Sequence, residues 1–176
     1  MSPARPTATL AAQCRIGTPL GPMTLAATAT GLAGAWFDGQ AHHPGPLAAP
    51  VDANHPWLQA AAAQLSAYFA STLDRFTLPL DAAGTPFQQA VWRALCTIPP
   101  GSTTDYGAIA ATLGRPQAAR AVGAAVGRNP LGIVVPCHRV LGRDGTLTGY
   151  AGGLHRKRAL LELESTLPVH VAARTR

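Results

Sequence analysis

The period of apolar and polar positions changes along this chain, and the changes divide it. From residue 21 the stretch "GPMTLAATATGLAGAWFDGQ" sets short apolar runs between glycine-bearing turns, and its Thr, Trp and Phe suit strands, so the first forty residues predict a β-meander. The segment "AHHPGPLAAPVDANHP" is a loop broken by proline and glycine. After it, Trp57, Leu58, Leu65, Tyr68 and Phe69 recur at helical spacing in "WLQAAAAQLSAYFAST". "LDRFTLPLDAAG" then predicts a short strand and a linker, with a domain boundary near residue 83.

Helical signals dominate the remainder. Thr85 as N-cap, Pro86 at the first helical position and Gln88 three residues after the cap form a capping box. That helix should run to about Cys96 and stop before "IPPG". "TTDYGAIAATLG" predicts a second helix ended by Gly114, and "RPQAARAVGAAVGRN" a third with Pro116 near its start, together a helix-turn-helix candidate. A strand "LGIVV", a glycine-rich loop "GRDGTLTGYAGG" and a last helix "LHRKRALLELES" complete the order. Two domains follow, residues 1–83 and 84–176.

Arg120, Gly123, Ala124 and Gly127 stand at i, i+3, i+4 and i+7 of the third helix and share one face, while Ala119, Val122 and Val126 can face the core. Glycine costs a helix about 1 kcal/mol relative to alanine, so two of them need a reason. One reason is close packing against another helix. The other is a large, smooth partner that must approach the backbone, with Arg120 as the one protruding group.

Charge sharpens the division. Residues 1–84 carry a net −1, residues 85–165 a net +5, and Arg174 and Arg176 bring the chain to +6. A basic half favours a polyanionic partner, although only one of the fourteen basic residues is lysine and part of the arginine excess can be compositional bias. No apolar stretch approaches the ~20 residues of a membrane span. "LAAQC" faintly resembles a lipoprotein cleavage box but lacks the apolar region before it. The expectation is a soluble, cytoplasmic protein.

Cys14, Cys96 and Cys137 make an odd count without paired spacing, which argues against a disulfide framework and for a free thiol. Cys96, inside an apolar pattern, reads as a small core residue. Cys137 differs: in "LGIVVPCHRVL" it follows a proline and precedes His138. Three chemistries fit a cysteine beside a histidine. Metal binding is the weakest, since no second Cys/His pair stands at zinc spacing and His42, His43 and His55 lie in or beside a loop. The others are a cysteine hydrolase and alkyl transfer to sulfur, and in both the thiolate attacks. Glu164, on the helical face of Leu160 and Leu161, can point its carboxylate inward to hold a base, or be a surface glutamate.

The stretch "GRNPLGIVVPCHRVLGRDGTLTGYAGGLHRKRALLELE" closely resembles the active-site region of the O6-alkylguanine-DNA alkyltransferases, and the likeness continues upstream through "TPFQQAVWRALCTIPPGSTTDYGAIAATLGRPQAARAVGAAVGRNP". "RIGTPLGPMTLAATATGLAGAWFDGQ" resembles the family's N-terminal domain more weakly. The resemblance implies an α+β fold: a ribonuclease-H-like sheet and helix domain, then a mainly helical, winged-helix-like domain with the helix-turn-helix. It implies irreversible, single-turnover transfer of the alkyl group from O6-alkylguanine in double-stranded DNA, with O4-alkylthymine a second candidate substrate, by a protein that is a monomer free in solution. Cys137 would be the acceptor, His138 the base through a bound water, Glu164 its orienting carboxylate and Asn129 the brace of the active-site turn.

By the same resemblance, Tyr106 would donate to the departing guanine. Val140, Tyr150, Ala151, Gly152, Gly153 and Lys157 would line the substrate pocket. The second helix of the helix-turn-helix would enter the minor groove, with Arg120 filling the space of the flipped nucleotide and Gly107, Gly123, Ala124 and Gly127 allowing close approach. Arg115, Arg128, Arg143 and Arg93 would be candidates for phosphate contact. Two departures stand out. Ala151 occupies a position where some relatives have a serine able to reach O6. The zinc ligands of some relatives have no counterpart in Cys14, His42 and His43, so neither metal nor other cofactor is expected. A lesion-binding relative without the reactive cysteine is the alternative, and Cys137, His138 and Glu164 argue against it.

Overall fold

A computed structural model of the protein describes residues 9–165. The first eight residues, and the basic tail that includes Arg174 and Arg176, lie outside the described residues. The predicted meander is present as β1 (Ala12–Ile16), β2 (Met23–Ala27) and β3 (Leu32–Phe37), antiparallel in the order β1-β2-β3. Helix α1 (Pro56–Phe69) turns Leu58, Ala61, Leu65 and Tyr68 inward and packs on this sheet.

Both edges of the sheet are covered, which removes the unpaired backbone that an open edge would expose. On β1, Gln13 N–H donates to Pro50 O at 2.9 Å, and its side-chain amide donates to the Leu47 and Ala49 carbonyls at 3.1 and 2.7 Å. On β3, Ala35 N–H donates to Pro130 O at 2.8 Å and its carbonyl accepts from Gly132 N–H at 2.9 Å. The outer edge of the N-terminal sheet therefore anchors the segment that leads to Cys137.

The C-terminal half begins at α2 (Pro86–Leu95), where Thr85 and Gln88 form the predicted reciprocal capping box and Cys96 is the C-cap. A two-residue parallel ladder joins β4 (Thr104–Asp105) to β5 (Val140–Leu141). Asp105 caps α3 (Tyr106–Thr112) by accepting from Ala108 N–H at 3.0 Å. Gly114, at φ 68°, takes the chain out of α3 in a conformation a side chain would strain. A single 3-10 turn, Pro116–Ala118, leads into α4 (Ala119–Gly127), and α5 (Leu154–Ser165) closes the fold. Trp92 ties α2 to α4, its buried indole N–H donating to Ala125 O at 2.9 Å.

Three expectations are corrected. "LGIVV" is not a strand: Leu131 makes one parallel bridge with Ala35, after which the chain turns, with Ile133 at φ 70°. Its backbone groups find partners in β3 and in the Asn129 side chain instead of a ladder. "LDRFTLPLDAAG" likewise supplies only an isolated bridge, Leu80 with Leu32, because Pro79 has no N–H to extend it. Cys96 is exposed rather than core, since α2 ends at Leu95 and the core face is Val91, Trp92 and Leu95.

Candidate active site and nucleic-acid interface

Asn129, just past α4, organises the turn that carries the thiol. Its Oδ1 accepts from Leu131 N–H at 2.9 Å, and its Nδ2 donates to Val135 O at 2.9 Å, to Leu131 O at 3.4 Å and to Cys137 Sγ at 3.2 Å. One buried amide thus satisfies a compact turn and touches the sulfur at its end. Cys137, His138 and Arg139 follow as a buried 3-10 turn, with Cys137 N–H on Val135 O at 2.8 Å.

His138 is fully buried, and its Nε2 lies 2.6 Å from Glu164 Oε1. Glu164 is buried on α5, so of its two readings the inward one holds and the surface one does not. Arg139 grips the same carboxylate, Nε to Oε2 at 2.9 Å and Nη2 to Oε1 at 2.8 Å, and its Nη1 donates to Ile98 O. Burial alone would raise the Glu164 pKa, but the hydrogen bonds and positive charges of His138 and Arg139 hold it down at about 2. Burial pushes His138 the other way, below its ordinary value, against the pull of Glu164. A neutral imidazole next to an ionised carboxylate donates through Nε2–H, which leaves Nδ1 as an acceptor. That Nδ1 is buried and has no protein partner among the described residues.

Burial also pushes the Cys137 thiol up, opposed by the Asn129 hydrogen bond, the Lys157 charge and the backbone N–H groups of Cys137 and His138. The resting sulfur is therefore a thiol that needs a base, in a setting already built to favour the thiolate once it forms. Lys157 is buried at the back of this site, and its Nζ donates to Val140 O at 2.5 Å, Thr148 O at 2.7 Å and Gly149 O at 3.3 Å. Its three donors are saturated, and one of them engages the carbonyl of Val140, a residue that the family resemblance implies for the pocket.

Tyr106 Oη reaches the same loop, donating to Thr148 O at 3.3 Å. Beyond it, Tyr150 lies in the field of Cys137, which together with burial pushes its phenol well up. Ala151 O accepts from Ala41 N–H at 2.9 Å, and Arg156 ties Gly152 O at 3.0 Å to Leu20 O at 2.8 Å while lying 4.3 Å over the Phe37 ring. A Cβ on Gly152 would stand 2.7 Å from the Tyr150 ring, and Gly153 has φ 90°, so both positions require glycine. A cavity of about 570 Å³, lined by Phe76, Cys96, Ile98, Ile133, Pro136 and Arg139 among others, contains neither Cys137 nor Tyr150 and is not this site.

The two faces of α4 differ in burial. Val122 and Val126 are buried, as is Ala125, whereas Arg120 and Ala124 are exposed and Gly123 and Gly127 half-buried. A Cβ on Gly127 would meet nothing within 4 Å, and one on Gly123 would make an ordinary contact with the Tyr106 ring at 3.7 Å. Among the described residues no neighbour demands either glycine. Gly107 is half-buried at the start of α3, and Arg93, Arg115, Arg128 and Arg143 are exposed, Arg115 lying 5.6 Å over Phe87.

Two residues of the site escaped the sequence reading. Arg139 carried a signal, a cation in the middle of a buried stretch, which usually means an ion pair. Tyr68, whose Oη donates to Glu164 Oε1 at 2.8 Å, comes from 96 positions away and carried none. His43 contacts Trp36 and accepts from Gly45 N–H at 3.0 Å, His42 is exposed and His55 half-buried. Among the described residues no three His, Cys, Asp or Glu side chains gather as a metal site.

A buried thiol one residue before a carboxylate-held imidazole fits a protein whose chemistry runs through cysteine, and the basic C-terminal half favours a polyanionic partner. Comparison with known proteins narrows this class. Residues 15–82 match the 6-O-methylguanine DNA methyltransferase ribonuclease-like domain, and residues 86–166 match the DNA binding domain of the same protein type. A methylated-DNA–protein-cysteine methyltransferase of Mycobacterium bovis is 50% identical over 151 residues, 86% of this chain and 90% of that protein. One from Methanosarcina barkeri is 47% identical over 152 residues, 85% of this chain and 94% of that protein. The Mycobacterium tuberculosis OGT solved in complex with DNA has a TM-score of 0.81 at 49% identity, covering 88% of this chain and 92% of that one. This chain belongs to the methylated-DNA–protein-cysteine methyltransferase family.

Proposed function

We propose that the protein repairs alkylated DNA by drawing the alkyl group of O6-alkylguanine onto Cys137, once per molecule. The observation that carries this reading is the contact set of the sulfur. It lies next in sequence to a buried neutral imidazole, accepts from Asn129 and has a buried ammonium nearby. The Cys137 proton passes through a bridging water to His138 Nδ1, and Glu164 stabilises the imidazolium that forms. The sulfur then attacks the alkyl carbon in line. The S–C bond forms as the C–O6 bond breaks. The guanine anion that leaves, stabilised by a hydrogen bond from Tyr106, takes up one proton as the imidazolium releases through water the one it gained, so the protons balance. The thioether is stable and no group in the site can regenerate the thiol.

The lesion reaches Cys137 by flipping out of the duplex, at a cost of a few kcal/mol that is smaller for a weakened pair. Tyr150, Ala151, Gly152 and Gly153 line the receiving pocket, and Lys157 fixes its wall through the Val140, Thr148 and Gly149 carbonyls. The open Gly123 and Gly127 face supports docking of α4 in the minor groove, with Arg120 in the stack and Arg115, Arg128 and Arg143 on phosphates. Poor sequence readout in that groove suits a protein that must find damage in any context. Residues 1–83 brace the acceptor turn and residues 84–176 carry DNA binding and transfer. No helix among the described residues is long and apolar enough to cross a membrane; the protein acts as a monomer on DNA in the cytoplasm. Incubation with a duplex holding O6-methylguanine should add one methylene to the intact mass, and Cys137→Ala should abolish the gain. Tight lesion binding by the wild type without a mass change would refute transfer.

A further inference from the structure

Glu164 has a donor from the far end of the chain. Tyr68, in the last turn of α1, donates to Glu164 Oε1 at 2.8 Å, the oxygen that also meets His138 Nε2 at 2.6 Å and Arg139 Nη2 at 2.8 Å. Tyr68 and Glu164 are each 1% exposed, so water does not compete for this oxygen. The Tyr68 ring packs against Phe69 and Phe76, at centroid distances of 5.5 and 5.6 Å, so packing places the ring without help from the hydroxyl. A buried tyrosine hydroxyl needs some partner. Here the partner is the one carboxylate that holds the imidazole, and burial together with the Glu164 charge pushes the phenol far up, so that it stays a donor at every working pH.

Three donors on one carboxylate oxygen spread its charge, and each donor removed leaves more charge to attract a proton onto His138. We propose that Tyr68 is a positioning residue for alkyl transfer: its hydroxyl limits the charge that Glu164 presents to His138, which keeps the imidazole neutral and Nδ1 open to the Cys137 proton. This rests on the reading of His138 as the base. The other groups in the field of this pair are Arg139 of the same turn, Lys157 of α5, Cys137 and Tyr150 of the pocket loop, and none of them contacts the Tyr68 hydroxyl. Through Tyr68 the N-terminal domain takes part in setting the reactivity of a thiol in the C-terminal one.

The test is the pH profile of single-turnover methyl transfer from an O6-methylguanine duplex. Tyr68→Phe keeps the ring and removes the donor. Its acid limb should move to higher pH by about one unit, so that transfer is about tenfold slower on the acid side, with unchanged affinity for an unmodified duplex. Replacement of Tyr68 by 3-fluorotyrosine keeps the hydroxyl and strengthens it as a donor, and should move the limb to lower pH. This second variant decides the matter where Tyr68→Phe does not fold. Profiles that superimpose on the wild type in shape, whatever the change in overall rate or Tm, overturn the proposal. Glu164→Gln and His138→Gln separate the two levels. If they slow transfer while the Tyr68 profiles superimpose, Tyr68 alone was misassigned. If they leave transfer untouched, the assignment of His138 as base has failed.

Discussion

Replacing Gly123 by alanine should make the protein more stable and worse at binding DNA. Gly123 lies inside α4, where alanine is favoured over glycine by roughly 0.5–1 kcal/mol. The added methyl would meet the Tyr106 ring at 3.7 Å, an ordinary van der Waals contact, so no strain offsets the gain. For a chain of 176 residues that gain corresponds to a rise in Tm of about 1–4 °C. In the proposed docking of α4 the same methyl also enters the space that the duplex would occupy. Over-filling a tight contact costs about 1–3 kcal/mol, which weakens Kd by roughly fivefold to 150-fold. Thermal unfolding and fluorescence anisotropy with an O6-methylguanine duplex, at one fixed salt concentration, read the two effects. Gly127→Ala, whose methyl meets nothing within 4 Å, should behave alike with a smaller stability gain at the helix end. A variant that is less stable would show that the glycines serve internal packing. One that binds DNA as the wild type does would show that α4 is not the approaching face.

Glu164→Gln should lower stability by about 3–5 kcal/mol, because it leaves the Arg139 guanidinium buried without a counter-ion, and should slow transfer by about a hundredfold or more; denaturant unfolding and quenched-flow transfer read the two. Stability should fall with acid: His138 is held below its unfolded value and Glu164 lies at about 2. The His138 contribution is complete above about pH 6.5 and declines below it. That of Glu164, on the order of 3 kcal/mol, is complete above about pH 4.3 and is lost as pH falls through about 2; urea midpoints should be level from pH 8 to about pH 6.5 and lower at pH 3 than at pH 6.5. Binding to unmodified duplex should weaken steeply with salt, and Arg115→Ala, Arg128→Ala or Arg143→Ala should each reduce the slope of log K against log salt by about one where that arginine neutralises a phosphate.

Local signals in the sequence were dependable wherever the structure is itself local. The Thr85–Gln88 box, the Gly114 stop, the meander and the two faces of α4 each depend on residues within a turn or two of one another. Helical spacing to Leu160 allowed Glu164 to turn inward but also allowed a surface position, and the partners that decide it, His138 and Arg139, lie outside the helix. What failed had no period to read. "LGIVV" is a short apolar run, and such a run fits a buried turn as well as a strand; its outcome was decided by Asn129 and by the edge of β3, both outside the run. Cys96 fell one position beyond the end of α2, where the apolar pattern no longer sets the direction of a side chain. The Tyr68–Glu164 contact was invisible because it exists only once α1 and α5 are brought together.

In the proposed reaction Cys137 takes one alkyl group and keeps it. Titration of the protein with increasing O6-methylguanine duplex, followed by peptide mapping, measures this directly. The expected result is a plateau at one methyl per chain, carried by the Cys137 peptide, however large the excess of duplex. Methyl on Cys14 or Cys96, or repair that continues past one equivalent, would contradict it.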